Sequence, residues 1–78
     1  MDKQVVLYSM DGWGACVAIK QFFADNQVDY LLKDIRKDSE ARKELVQVYK
    51  KRSVPVTVIG DEVIHGFIEP VLRKALGI

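Results

Sequence analysis

Two reactive side chains in this 78-residue sequence are the only ones of their type: Cys16 is the single cysteine and His65 the single histidine. A lone thiol excludes an internal disulfide. One Cys and one His are also too few for a cysteine-built zinc or iron–sulfur centre within the chain, so no metal site is expected. What remains is thiol chemistry. The thiolate is the attacking species in thiol–disulfide exchange, and its supply depends on pKa and access. Cys16 closes the segment Trp13-Gly14-Ala15-Cys16, directly after the polar break Ser9-Met10-Asp11-Gly12.

Two effects compete at Cys16. In the first turn of a helix, unpaired N–H groups and the helix dipole favour negative charge, and the side chain leans back toward the helix start. Cys16 also shares an apolar stripe with Ile19 and Phe23, and burial raises a thiol pKa. A reactive thiol and an inert core cysteine both stay open. His65 beside Cys16 would make a thiol–imidazole site, and the alternative is an ordinary half-exposed residue at a strand end next to Gly66. Trp13 starts a helix after a polar loop, so it is expected at the surface. There a Trp serves as a binding anchor or as a lid on the helix end.

The elements that must position these residues follow from the hydrophobic pattern. Val5-Val6-Leu7-Tyr8 is a β-branched and apolar run of strand length. From Gly14 to Ala24 the period becomes helical, with Ala15, Ile19 and Phe22 at i, i+4, i+7. Residues 28–34 read as a second strand. Asp38 or Ser39 can cap the next helix, whose apolar side is Ala41, Leu45, Val48 and Tyr49 and whose basic end is Lys50-Lys51-Arg52. Strands near 55–59 and 62–65 flank the turn Gly60-Asp61 as an antiparallel hairpin. A last helix opens near Glu69-Pro70 and stops at Gly77. The order is βαβαββα. Its opening βαβ unit makes the first two strands parallel with a right-handed crossover, and the hairpin extends them to a four-stranded mixed sheet in a single domain over residues 1–78.

Composition sets the outer limits. Hydrophobic residues make up 49% and charged residues 29%, which excludes a disordered, collagenous or coiled-coil chain. Twelve Lys+Arg against eleven Asp+Glu leave a net charge of +1. That is too little basic excess for a dedicated nucleic-acid binder. No run approaches the roughly 20 apolar residues of a membrane span. The N-terminus lacks the apolar region and cleavage site of a signal peptide. A cytoplasmic protein with no membrane association is expected.

Three segments together resemble a known family. Val5-Val6-Leu7-Tyr8-Ser9 is similar to an opening strand that ends in Tyr before the loop into an active-site helix. Arg52-Ser53-Val54-Pro55 is similar to an Arg-Thr-Val-Pro segment whose proline is cis and faces the active site. Val63-Ile64-His65-Gly66-Phe67 is similar to a hairpin strand ending in Gly-Gly or Ser-Gly before the last helix. Over nearly its whole length the chain resembles the glutaredoxins and glutaredoxin-like redoxins of the thioredoxin fold. The resemblance implies an α/β, thioredoxin-like sheet of four strands with three flanking helices.

The resemblance also implies a site. The family carries Cys-x-x-Cys where this chain has Trp13-Gly14-Ala15-Cys16, so Trp13 occupies the attacking position and Cys16 the resolving one. Met10 stands where many members carry Lys. Lys51 and Arg52 match basic residues that bind a glutathione carboxylate, and Ser53 keeps the hydroxyl of the family Thr. Tyr8, Val54, Pro55, Gly66 and Phe67 complete the implied substrate surface. The implied partners are glutathione, as co-substrate, or a thiol- or disulfide-bearing protein. No bound cofactor is implied, and a monomer is expected. Some glutaredoxin-like families place selenocysteine at the position of Trp13. Its codon, UGA, differs from the Trp codon UGG by one base, so Trp13 is also open to being a replacement for a lost or recoded selenocysteine. Two functions follow: a thiol-redox protein with a degenerate centre, limited to monothiol exchange through Cys16, or a non-catalytic peptide- or thiol-binding module.

Overall fold

A computed structural model describes residues 3–78. Its sheet is built around β1 (Val5–Ser9), whose Val-Val-Leu-Tyr run suits a strand covered on both faces. Four of its five residues are buried and the fifth, Val6, is half-buried. β2 (Leu31–Asp34) lies parallel to β1, with Val6 opposite Leu31 and Ser9 opposite Asp34. On the other side β3 (Val56–Ile59) runs antiparallel, with Val5 opposite Ile59 and Tyr8 opposite Val56. β4 (Glu62–His65) completes the sheet as the hairpin partner of β3, so the order is β2-β1-β3-β4.

Alternation along β1 divides the interior into two cores. Val5 and Leu7 face α1 (Gly14–Asp25) and α3 (Glu69–Leu76), packing with Ile19, Phe22, Phe23, Ile59, Ile64 and Leu72. Tyr8 faces the opposite way, toward α2 (Ser39–Gln47), with Ala41, Leu45, Val54, Val56 and Val58. Cys16 belongs to this second core although the rest of the α1 stripe belongs to the first. The start of α1 therefore wraps over the end of β1 and reaches the other face of the sheet.

The strand expected over 28–34 is shorter. The Val28 N–H donates to the Phe23 carbonyl at 2.9 Å, which closes α1 and keeps residues 28–30 off the ladder until Leu31 meets Val6. The first strand, expected near residues 4–8, is Val5–Ser9, and the third starts at Val56 instead of Pro55. Asp38 is the cap of α2, its carboxylate accepting from the Glu40 and Ala41 N–H groups at 3.0 and 3.3 Å. That helix ends earlier than the apolar pattern suggests. Val48 is exposed, and Lys50 takes a left-handed conformation with φ of 59°. Lys50-Lys51-Arg52 thus lie beyond the helix and do not complement its dipole.

Phe23 is fully buried, and its ring lies 5.0 Å from that of Tyr30 and 5.9 Å from that of Phe22. Truncating such a residue removes apolar burial and leaves a cavity. Phe23→Ala should cost about 3–5 kcal/mol, a large share of the roughly 4–12 kcal/mol expected of a domain this size. Urea denaturation followed by circular dichroism measures the loss, and a change below about 1 kcal/mol would contradict this packing.

Candidate active site

The loop after β1 is a tight turn, with Gly12 at φ of 76°, where only glycine is unstrained. Asp11 in this turn receives the Lys37 ammonium at 2.6 Å and lies 3.8 Å from that of Lys20. The Lys37 hydrogen bond and charge hold its carboxyl below the usual range. The turn is thereby tied both to α1 and to the loop leading into α2. Trp13 then takes the N-cap place of α1 with extended backbone and no side-chain cap, and its carbonyl accepts the Val17 N–H at 2.9 Å. Its side chain is half exposed, as a residue at the mouth of the helix must be. Val17, one turn further on, is exposed as well. Sequence reasoning missed it, because a lone valine at a solvent-side helical position carries no signal of its own.

Cys16 has no exposed surface. Burial pushes its thiol above the ordinary cysteine value, and the Asp34 charge adds to this. A hydrogen bond from the Met10 backbone and the charge of Lys20 oppose the shift without overcoming it. Of the two effects weighed at this residue, desolvation wins over the helix start. Cys16 is a buried thiol packed near Tyr8, Val54 and Val56, which is the core-cysteine side of the two readings the sequence leaves open.

Four of the expected binding residues form a turn facing this helix start. The Val54–Pro55 peptide bond is cis. Val54 and Pro55 are both buried. The Pro55 carbonyl accepts the Gly66 N–H at 2.8 Å, and Gly66 sits at φ of 90°. Ser53 is exposed, and its hydroxyl lies 2.6 Å from His65 Nε2. His65 thus partners Ser53, and Cys16 lies in the interior among apolar side chains. Lys51 is half-buried and Arg52 exposed, and neither forms an ion pair among the described residues.

Two expected binding residues belong elsewhere. Tyr8 is not at the surface. Its ring is buried 5.7 Å from that of Tyr49, under the ammonium of Lys33, and its hydroxyl donates to Glu44 Oε1, which also accepts from Lys33 Nζ at 2.6 Å. It faces α2 because position 8 alternates with Leu7 across the sheet. The Phe67 ring turns inward onto Phe22, 5.7 Å away, leaving Ile68 as the exposed apolar residue of that loop. A separate cleft of about 590 Å³, between Lys3, Gln27, Lys74 and Ile78, lies at the other end of the strands and shares no residue with this site. Among the described residues no cluster of His, Cys, Asp or Glu is placed to hold a metal ion, and no helix is long and apolar enough to cross a membrane.

The segment that carries this helix start and the cis-proline turn matches a family model. The model described as Glutaredoxin matches residues 5–64. The chain belongs to the glutaredoxin family. No curated protein matches it. Among solved structures it is similar to the thioredoxin-like protein BC3987, with 34% identity over 94% of this chain and all of that one, and a TM-score of 0.88. A glutaredoxin from Archaeoglobus fulgidus is 27% identical over 94% of this chain and 85% of that one, with a TM-score of 0.79. A buckwheat glutaredoxin–glutathione complex, 23% identical over 96% of this chain and 71% of that one with a TM-score of 0.74, shares the fold. Glutaredoxins are thiol-redox proteins of the thioredoxin fold, and this chain has their four-stranded mixed sheet and three helices.

The Tyr8 contact gives this glutaredoxin-family chain a testable pH response. Burial, then the Glu44 hydrogen bond and charge, push the Tyr8 phenol far above its usual value. A raised folded-state pKa gives stability that is complete below the unfolded value of about 10 and declines as pH rises beyond it. The parent protein should therefore lose stability above about pH 10 more steeply than Tyr8→Phe, which has no phenol to titrate there. Urea midpoints measured from pH 8 upward compare the two, and parallel curves would exclude the linkage.

Proposed function

We infer that this chain is a glutaredoxin-like thiol-redox protein with a degenerate centre, in which Cys16 is the buried second thiol and residue 13 is the place of the attacking atom. The observation that carries the reading is the contrast between these two positions. Trp13 is half exposed at the mouth of α1, whereas Cys16 has no exposed surface and a raised pKa. A thiol at position 13 would meet the helix dipole and substrate, and one at position 16 is better placed to resolve what forms there. With Trp13 in place the chain is limited to slow monothiol exchange with glutathione or a disulfide-bearing protein, reached when the first turn of α1 opens. Lys51, Arg52, Ser53, the Val54–Pro55 backbone and Gly66 form the substrate surface in this reading. Glutathione serves as co-substrate with no resident cofactor. The protein acts as a cytoplasmic monomer without nucleic-acid or membrane partners. Where the codon for residue 13 is UGA, the same geometry puts a selenol at the attacking position with Cys16 as its selenenylsulfide partner.

A second reading is favoured by one observation. Trp13 makes no capping hydrogen bond and leaves half its surface in water beside an intact turn. A large aromatic held in this way suits a non-catalytic module that binds a peptide or thiol, with the indole as anchor.

Thiol titration and one substitution separate the readings. In the folded parent, Cys16 should react with a disulfide reagent at least about tenfold more slowly than in denaturant, because the thiol must first be uncovered. Trp13→Cys should add glutathione-dependent disulfide reductase activity that the parent lacks, and should form an internal disulfide with Cys16, seen in mass spectrometry as the loss of two hydrogens. A folded variant as inactive as the parent would discard the redox reading in favour of the binding module.

A further inference from the structure

The His65–Ser53 contact has no part in thiol exchange, yet it spans the proposed substrate surface. Ser53 immediately precedes Val54–Pro55. His65 is the ladder partner of Val56 and precedes Gly66, whose N–H holds the Pro55 carbonyl. The 2.6 Å contact between His65 Nε2 and Ser53 Oγ therefore joins two exposed residues that flank the buried Val54–Pro55 pair.

A contact this short holds one proton, and the state of the ring decides who donates it. A neutral imidazole with Nε2 as acceptor receives the hydrogen bond that the Ser53 hydroxyl donates, so the hydroxyl proton is committed to it. A protonated ring, gaining its proton from solvent, donates Nε2–H to Ser53 Oγ, and the hydroxyl proton is free to point outward. We propose that the His65–Ser53 pair is a proton-operated specificity element: protonation of His65 converts Ser53 into an outward donor, adds a positive charge, and tightens binding of a carboxylate-bearing thiol peptide at the Val54–Pro55 turn.

The surrounding charges define the ligand class. Lys50, Lys51 and Arg52 lead into Ser53, and none is in an ion pair among the described residues. β3 offers no titratable side chain over Val56–Ile59. The other ionisable residue of β4, Glu62, is at the far end opposite Ile59. On α3, Glu69 is engaged by Arg73 at 3.0 Å, and Lys74 lies in the cleft at the other end of the strands. The turn is bordered by cations on its loop side, so an anionic group on the ligand gains from each added donor or charge. Histidine is the side-chain type that can gain a proton within the physiological pH range.

The proposal rests on the reading of the Val54–Pro55 turn as the substrate surface, and the test keeps the two apart. The probe is S-methylglutathione, which retains both carboxylates and cannot exchange with Cys16. Calorimetry at about pH 5.5 and about pH 8 compares the parent with His65→Gln and Ser53→Ala. The parent should bind about fivefold more tightly at the lower pH, as expected for one charge-assisted contact at an exposed site. His65→Gln, which keeps a hydrogen-bonding side chain but cannot take a proton, should vary less than about twofold. Ser53→Ala should lose at least half of the parent's response. A parent that binds equally at both pH values, or either variant keeping the full response, would overturn the switch while leaving the surface in place. Absence of binding by all three proteins would overturn both. Nitrogen NMR of the imidazole gives a readout without ligand. The neutral ring of the parent should carry its proton on Nδ1, and Ser53→Ala should move it toward Nε2. A parent ring already protonated on Nε2 when neutral would also refute the proposal.

Discussion

The candidate site depends on the packing of Cys16 against the end of the central strand. Its side chain, wholly buried among Tyr8, Ala41, Leu45, Val54 and Val56, draws the first turn of α1 over the edge of the second core. That contact sets the helix start at a fixed height above the Val54–Pro55 turn and leaves the N-cap residue facing water. The small apolar thiol suits the place because free cysteine packs as a small hydrophobe. The same dehydration that stabilises the packing disfavours the thiolate, so the group that anchors the site cannot also be its ready nucleophile.

Electrostatic contacts hold the elements on either side of this anchor. Asp11, between Lys37 and Lys20, braces the turn before α1, and Glu44, shared by Lys33 and Tyr8, braces α2 against β1 and β2. The Asp11 pairs are exposed and contribute little individually. Glu44 matters more, because it satisfies a phenol that is itself buried and would otherwise lose its hydrogen bond to water. This use of Tyr8 removes it from the substrate surface.

Membership of a redox family and possession of redox chemistry are separate facts here. The sheet, the three helices and the Pro55–Gly66 contact are those of a glutaredoxin-family chain, while the exposed end of α1 carries an indole. The fold survives this exchange because the N-cap side chain lies outside both cores. A substitution of Cys16 would disturb the second core, whereas position 13 can change its chemistry without repacking anything. Position 13 is therefore where activity can be lost, or regained, at little structural cost.

The element order was legible in the sequence, because strand and helix periods differ and Asp38, Pro70 and Gly77 mark helix ends by local chemistry. Three motifs of fixed spacing were enough to indicate the family, and the exposure of Trp13 followed from its place after a polar turn. Other outcomes needed the tertiary structure. Whether Cys16 is a thiolate or a core residue turned on the balance between a local field and long-range burial, and only packing against β1 and β3 decided it. Tyr8 and Phe67 look like surface residues when aligned with a motif, but strand alternation and the Phe22 contact turn them inward. The His65–Ser53 contact joins residues twelve positions apart on two sides of a turn. Such a contact has no sequence period to reveal it, and it exists only because the β3–β4 register brings the two side chains together.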